Sequence, residues 1–262
     1  MNNHPIGVFD SGVGGISIWK EINKLLPNED TIYLADSRNA PYGEKTKDAV
    51  RNLSVKNTEF LLQKGCKIIV VACNTATTNA ISYLRAKYDV PFIGIEPAIK
   101  PAALKSRTKT VGVLATQGTL SSHLFHITAQ NHASSIKIIE QEGTGLVSLI
   151  ESGQVESEKT KKLLRGYLAP MLAAGIDHLV LGCTHYAYLV PLLQNLLPEG
   201  IKIIDCGEAV AKQTFNVLTK SDTLNLAGHK SEHRFYTNAE VDILGLFLKE
   251  VKAHKNVDFL DF

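Results

Sequence analysis

Apolar residues in this chain fall in short unbroken runs, separated by longer stretches where they recur every three or four positions. The short runs predict strands over 6–9, 32–35, 67–72, 92–95, 110–114, 136–139, 178–181 and 201–204. Between them lie helical patterns. In 16–26, Ile18, Ile22, Leu25 and Leu26 share one face; in 46–64, Val50, Leu53, Phe60 and Leu61 do. Continuously apolar strands alternating with amphipathic helices predict parallel sheet with both faces covered. Gly65 and Gly175 stand just before strands, where the left-handed residue that ends a helix is expected.

The pattern also repeats. "IGVFDSGVGG" from Ile6 returns as "VGVLATQGT" from Val111, 105 positions on. "IIVVACNTA" and "HLVLGCTHY" each end a strand on a cysteine, Cys73 and Cys183, 110 positions apart. "IGIEPA" and "IIDCGEA" keep the same offset of 110. Matched strand ends predict two similar, pseudo-symmetric α/β domains with mostly parallel sheets covered by helices; if the two halves face one another, Cys73 and Cys183 confront each other across a cleft. From about Glu208 the chain adds a long helix, a short strand at 235–236 and a last helix over 239–252. That tail is expected on the first half, because the second already has its strands. The expected domains are therefore 1–97 plus 208–262, and 98–207.

Composition narrows the function classes. A net charge of +2 gives no electrostatic case for nucleic acid or an anionic membrane surface. The basic run from Lys159 to Lys162 sits beside Glu156 and Glu158, as on a solvated helix face. No apolar run approaches the ~20 residues that span a bilayer. The N-terminal residues lack the apolar core of a signal peptide. The cysteines, Cys66, Cys73, Cys183 and Cys206, form no C-x-x-C pair, which points to reduced thiols and a cytoplasmic location.

Ligands of open α/β sheets sit beyond the carboxyl ends of strands. Asp10, Asp36, Cys73, Thr116 and Cys183 fall at such ends. A thiol delivered there and followed by a helix meets free N–H groups and the positive end of a dipole, which favour thiolate and bind carboxylate. Asn74 and Thr75 add donors behind Cys73; Thr184 and His185 do so behind Cys183. "DSGVGG", Asp10 to Gly15, reads either as a tight turn or as a backbone nest for a small anion. "PYG", Pro41 to Gly43, is a turn or a place where backbone N–H groups meet a ligand carboxylate. Zinc on Cys73, Cys183 and His185 has only C-x-H spacing behind it, which is weak. Glu151, on a stretch of helical apolar period, reads from its position alone as an exposed carboxylate.

Together, DSGVGG, PYG, VVACNTA and GCTHY resemble the glutamate racemases among the cofactor-independent aspartate/glutamate racemases. The resemblance runs over about residues 5–215. It implies two α/β domains with the active site in the cleft between them, and a two-base mechanism with Cys73 and Cys183 as the bases, no metal and no cofactor. It implies Asp10 and His185 as their respective partners, with Glu151 assisting near Cys183. It implies substrate contacts from Asp10, Ser11, Pro41, Tyr42, Gly43, Cys73, Asn74, Thr75, Cys183, Thr184 and His185. Glutamate is then the small-molecule partner, a homodimer an expectation of the resemblance alone, and D-glutamate for peptidoglycan the product. Two departures stand out. "EQEGTGLVSLIESG" lacks the Cys-Pro pair that many relatives carry before the Glu151 position, which puts Glu151's role in question. Ala187 stands where relatives often have Pro.

The chemistry fits the residues. Racemisation removes the Cα proton from one face and delivers another to the opposite face, so each enantiomer needs its own base. No Lys ends a strand in these motifs, so nothing points to a Schiff-base cofactor. The carbanion must then be stabilised by donors on the α-carboxylate, such as Asn74, Thr75 and Thr184. The rival readings are an aspartate or hydantoin racemase, and a non-enzymatic small-anion-binding α/β module. His185 and the full DSGVGG favour glutamate.

Overall fold

The computed structural model describes residues 4–133, 136–225, 228 and 230–262. Its strands lie in two sheets. The first contains β1 (Ile6–Asp10), β2 (Thr31–Ala35), β3 (Ile68–Val71), β4 (Phe92–Gly94), β9 (His233–Thr237) and β10 (Lys255–Phe259), in the order β10-β9-β2-β1-β3-β4. The second contains β5 (Thr110–Ala115), β6 (Lys137–Glu142), β7 (His178–Gly182) and β8 (Lys202–Ile204), in the order β6-β5-β7-β8. Every pairing is parallel. All eight strands expected over 6–204 are present.

The order β2-β1-β3-β4 is the order β6-β5-β7-β8. The sequence repeat is thus a repeat of topology, with Cys73 after β3 and Cys183 after the matching β7. The central strands β1, β3 and β7 are buried along their whole length, as two-sided cover requires. Helix ends follow local chemistry. Thr46 and Ser157 cap the helices Lys47–Gln63 and Glu158–Ala173, each accepting an N–H with its hydroxyl oxygen. Gly65 and Gly175 take φ of 76° and 75°, which only glycine adopts freely.

The tail joins the first sheet, since β9 pairs with β2. Its helix Gly207–Lys220 packs on the helix Ile16–Leu25. One difference stands out. The last helix is Val241–Leu248, shorter than 239–252, and a further strand, β10, follows it. "KNVDF" mixes charge with two apolar residues and leaves three of its five positions exposed, so it carries no hydrophobic signal. An edge strand needs none, because its partner supplies the hydrogen bonds.

One buried polar chain sits under the first sheet. Trp19 Nε1 donates to Thr31 Oγ1 at 2.8 Å, and Thr31 Oγ1 lies 2.9 Å from His233 Nδ1. Trp19 is a donor only, so Thr31 Oγ1 accepts from it and keeps its own proton free to donate to a neutral His233 at Nδ1. Burial also holds the His233 imidazole below its ordinary range. Above the ordinary histidine value of ~6.5 both folded and unfolded chains are neutral there. Below it the unfolded chain takes up the proton first, so stability falls with pH. The difference between the urea midpoints of wild type and His233→Asn, which keeps an acceptor and cannot titrate, followed by fluorescence of Trp19, the single tryptophan, should shift against wild type between pH 7.5 and 5; taking the difference cancels the opposite pH dependence of buried His185 and Asp10.

Candidate active site

β1 carries Asp10 to its carboxyl end, and the chain turns at once through Ser11–Gly15 into the helix Ile16–Leu25. Asp10 is fully buried, and its Oδ2 accepts the Gly15 N–H at 2.8 Å. Ser11 and Thr184 each point a hydroxyl at Oδ1, both at 3.5 Å. Burial raises the Asp10 pKa; the His185 charge and the Gly15 N–H pull the other way.

Cys73 ends the β3 run and caps the helix Asn74–Lys87, its sulfur accepting the Ala76 N–H at 3.4 Å. The helix start behind the thiol is therefore real, and the thiol itself satisfies one of its free N–H groups. Cys73 Sγ lies 3.8 Å from Ser11 Oγ. Burial pushes the Cys73 thiol well up, and the nearby Asp10 carboxylate adds to this; the Ala76 N–H opposes it.

Cys183 follows β7 but opens a different element. Thr184–Leu189 is a 3₁₀ helix, tighter than the α-helix behind Cys73, and Ala187 sits within it. Cys183 Sγ is 3.8 Å from His185 Nδ1. His185 is buried, with Nε2 2.5 Å from Glu151 Oε1 and Nδ1 4.0 Å from Asp10 Oδ2. Burial alone would lower the His185 pKa. The bonds to Cys183 and Glu151, with the Glu151 and Asp10 charges, outweigh it and hold the imidazole well above its ordinary range.

Glu151 is not an exposed carboxylate. It ends the helix Leu146–Glu151 and spans to the other half. Oε1 also accepts the Val13 N–H at 2.7 Å, and Oε2 accepts from Ser37 Oγ at 2.9 Å. The DSGVGG turn therefore binds carboxylates that belong to the chain itself, Asp10 through Gly15 and Glu151 through Val13. Its glycines are required by this approach. A Cβ on Gly12 would stand 1.9 Å from Glu151 Oε1, and one on Gly14 would stand 2.3 Å from His185 Nδ1.

The expected binding residues surround one cavity. Ser11, Cys73, Asn74 and Thr75 line it from one half; Cys183, Thr184 and His185 line it from the other. Pro41, Tyr42 and Gly43 add a wall, in a turn that starts at Tyr42 and leaves its leading N–H groups without acceptors in the turn. Asp36 stays outside the cavity. It accepts from the Tyr42 hydroxyl, from Asn39 Nδ2 at 2.8 Å and from Asn238 Nδ2 at 2.5 Å, and so fixes that wall. Asp10 and Glu151 also stand behind the lining, at Ser11 and His185. Asn74 Nδ2 is buried without a partner, a donor held ready for a ligand. Thr116, one of the strand-end residues, lines the cavity and lies 2.9 Å from Thr75 Oγ1.

Val147 completes the lining and was not legible as a site residue. It shares a helix face with Glu151, four positions on, but reads as core. The cavity holds about 10 Å³, near the limit for one water, so this closed arrangement has no room for a larger ligand. A second cavity, of about 440 Å³, shares Asn74, Cys183 and Thr184 and reaches Asp205 and Cys206. Among the described residues no group of three or more His, Cys, Asp or Glu has the geometry to hold a metal ion.

Residues 6–214 match the family described as Asp/Glu/hydantoin racemase. The chain belongs to that family. It is 46% identical over 259 residues to a glutamate racemase of Pseudomonas putida, covering 98% of this chain and 97% of the relative. A glutamate racemase isoform from Bacillus anthracis superposes with a TM-score of 0.89 at 29% identity, covering 100% of this chain and 99% of that one. The Escherichia coli glutamate racemase, solved with L-glutamate and the activator UDP-MurNAc-Ala, gives 0.85 at 32% identity, covering 98% and 100%. Those structures share the two-domain α/β architecture seen here.

The glycine requirement can be tested within this racemase. Gly14→Ala should lower kcat/KM by at least ~100-fold, because the methyl displaces His185 from Cys183 and misplacement of about an ångström costs that much. The thermal unfolding midpoint should move far less than the activity.

Proposed function

We propose that the chain is a glutamate racemase that interconverts L- and D-glutamate with Cys73 and Cys183 as its two bases. The observation that carries the reading is the pair of thiols, one from each half, lining a single cavity. Relatives named glutamate racemase over nearly the whole chain support the substrate. The two sheets correspond in this reading to domains 1–97 plus 208–262 and 98–207. Its product would feed peptidoglycan synthesis in the cytoplasm, where four free cysteines stay reduced. A homodimer belongs to the same reading.

The surroundings of the thiols suggest how a turnover begins. Burial and Asp10 keep Cys73 protonated, the form that delivers a proton. His185 Nδ1 stands 3.8 Å from Cys183 Sγ, the sulfur assigned here to removing the proton of L-glutamate. L-glutamate bound with its Cα–H toward Cys183 would lose that proton to the sulfur and gain the Cys73 proton on the other face. The new pair, Cys183 thiol and Cys73 thiolate, is the form that accepts D-glutamate. Asn74, Thr75 and Thr184 are placed to donate to the α-carboxylate as negative charge flows onto it. The Tyr42 and Gly43 N–H groups would hold the distal carboxylate.

Optical rotation of L-glutamate should decay to zero with the purified protein and without added cofactor. Cys73→Ala and Cys183→Ala should each lose at least the ~10²–10⁴ typical of a general acid–base group, in both directions. Cys66→Ala and Cys206→Ala, as controls outside the substrate cavity, should stay active. Racemisation by either Cys73→Ala or Cys183→Ala above about a tenth of wild type would reject the two-thiol assignment. In D₂O, newly formed D-glutamate should carry deuterium at Cα, because the thiol that delivers the proton is not the one that removed it. Product that retains the substrate's own proton would require a single base.

A further inference from the structure

We propose that Ser37 is a positioning residue for proton transfer at Cys183, acting through Glu151 and His185. The inference deepens the reading of Cys183 as a base assisted by His185 and rests on it.

The path is short and continuous. Ser37 Oγ donates to Glu151 Oε2 at 2.9 Å. Glu151 Oε1 meets His185 Nε2 at 2.5 Å, and His185 Nδ1 meets Cys183 Sγ at 3.8 Å. A carboxylate held at one oxygen can still turn about its terminal bond. Ser37 holds the second oxygen and so fixes which lone pair Oε1 presents to the imidazole. The Glu151 side chain is 13% exposed, so water can replace the lost hydroxyl and keep the charge solvated. Water would not keep the orientation. Ser37 therefore acts on geometry rather than on ionisation.

Its place in the chain adds a second role. Ser37 follows Asp36, which fixes Tyr42, and precedes the Pro41–Gly43 wall of the cavity. The segment that meets the substrate thus also holds the carboxylate that steadies the base. Glu151 comes from the opposite half, so the Ser37 bond forms across the cleft and depends on how the halves close.

The two enantiomers are equal in energy, so any variant must change kcat/KM equally in both directions. The identity of the affected thiol is read from isotope effects instead. Ser37→Ala should lower kcat/KM about tenfold in both directions, the scale of one hydrogen bond to a charged group. If transfer at Cys183 becomes slow, the effect with α-deuterated L-glutamate should rise, because Cys183 removes that deuteron. The effect with α-deuterated D-glutamate should shrink, because Cys73 removes that one in a step that is no longer slow. Ser37→Thr, which keeps the hydroxyl, should restore the wild-type pattern. His185→Asn serves as the reference and should show the same split more strongly. Equal or unchanged isotope effects in Ser37→Ala, with the split present in His185→Asn, would overturn the role of Ser37. Absence of the split in His185→Asn would overturn the underlying pairing of His185 with Cys183.

Discussion

A buried imidazole between two carboxylates governs this structure. His185 lies 2.5 Å from Glu151 and 4.0 Å from Asp10, and neither His185 nor Asp10 is open to water. Buried charge is tolerated only where it is paired and hydrogen-bonded. Here the backbone meets that demand, through the Gly15 N–H on Asp10 and the Val13 N–H on Glu151. Both donors come from one turn, and the turn can approach only because it lacks side chains at Gly12 and Gly14. The glycine motif is thus the counterpart of the charge cluster. Glu151 and His185 belong to one half and the turn to the other, so the cluster also joins the halves across the cleft.

The duplicated topology explains why the thiols match in position; the local chain explains why they differ in chemistry. Cys73 caps an α-helix and faces a hydroxyl, with a carboxylate behind. Cys183 opens a 3₁₀ helix and faces an imidazole. The same strand-end device therefore carries two environments, a hydroxyl backed by a buried carboxylate at one sulfur and an imidazole at the other. For a reaction with an equilibrium constant of one this asymmetry has no bearing on the ratio of products. It bears instead on Cys73, where burial and the Asp10 carboxylate favour the protonated sulfur.

Much of this was legible because parallel strands buried on both faces leave unbroken apolar runs. β1, β2, β3, β5 and β7 could be read from such runs and β4, β6 and β8 from shorter apolar stretches, and the repeat of β3 in β7 pointed to both thiols. The order of the strands within each sheet could not be read, nor could β10, most of whose residues face water. The site divides in the same way. Ser11, Cys73, Asn74, Thr75, Cys183, Thr184 and His185 follow strands directly, so their meeting follows from the general rule for open sheets. Glu151 does not follow a strand. A carboxylate ending an apolar helix looks solvated until the opposite half is brought against it, and its partners Val13 and Ser37 are remote in sequence.

The anion nest was the reading most open to misassignment. Glycines that free backbone N–H groups announce an anion without saying whose anion it is. In many folds the answer is a ligand phosphate. Here Gly15 and Val13 are occupied by carboxylates of the chain, and the donors still open around the cavity are side chains and the turn at Tyr42. The distinction has a physical consequence. A nest filled from within is formed before substrate arrives, so its favourable charge pairing belongs to folding and to closure of the halves rather than to substrate binding. In the function proposed above, substrate recognition would then fall to neutral donors such as Asn74, whose amide is buried without a partner. Such donors would stabilise charge that develops on a bound carboxylate without holding the ground state so tightly that the barrier rises.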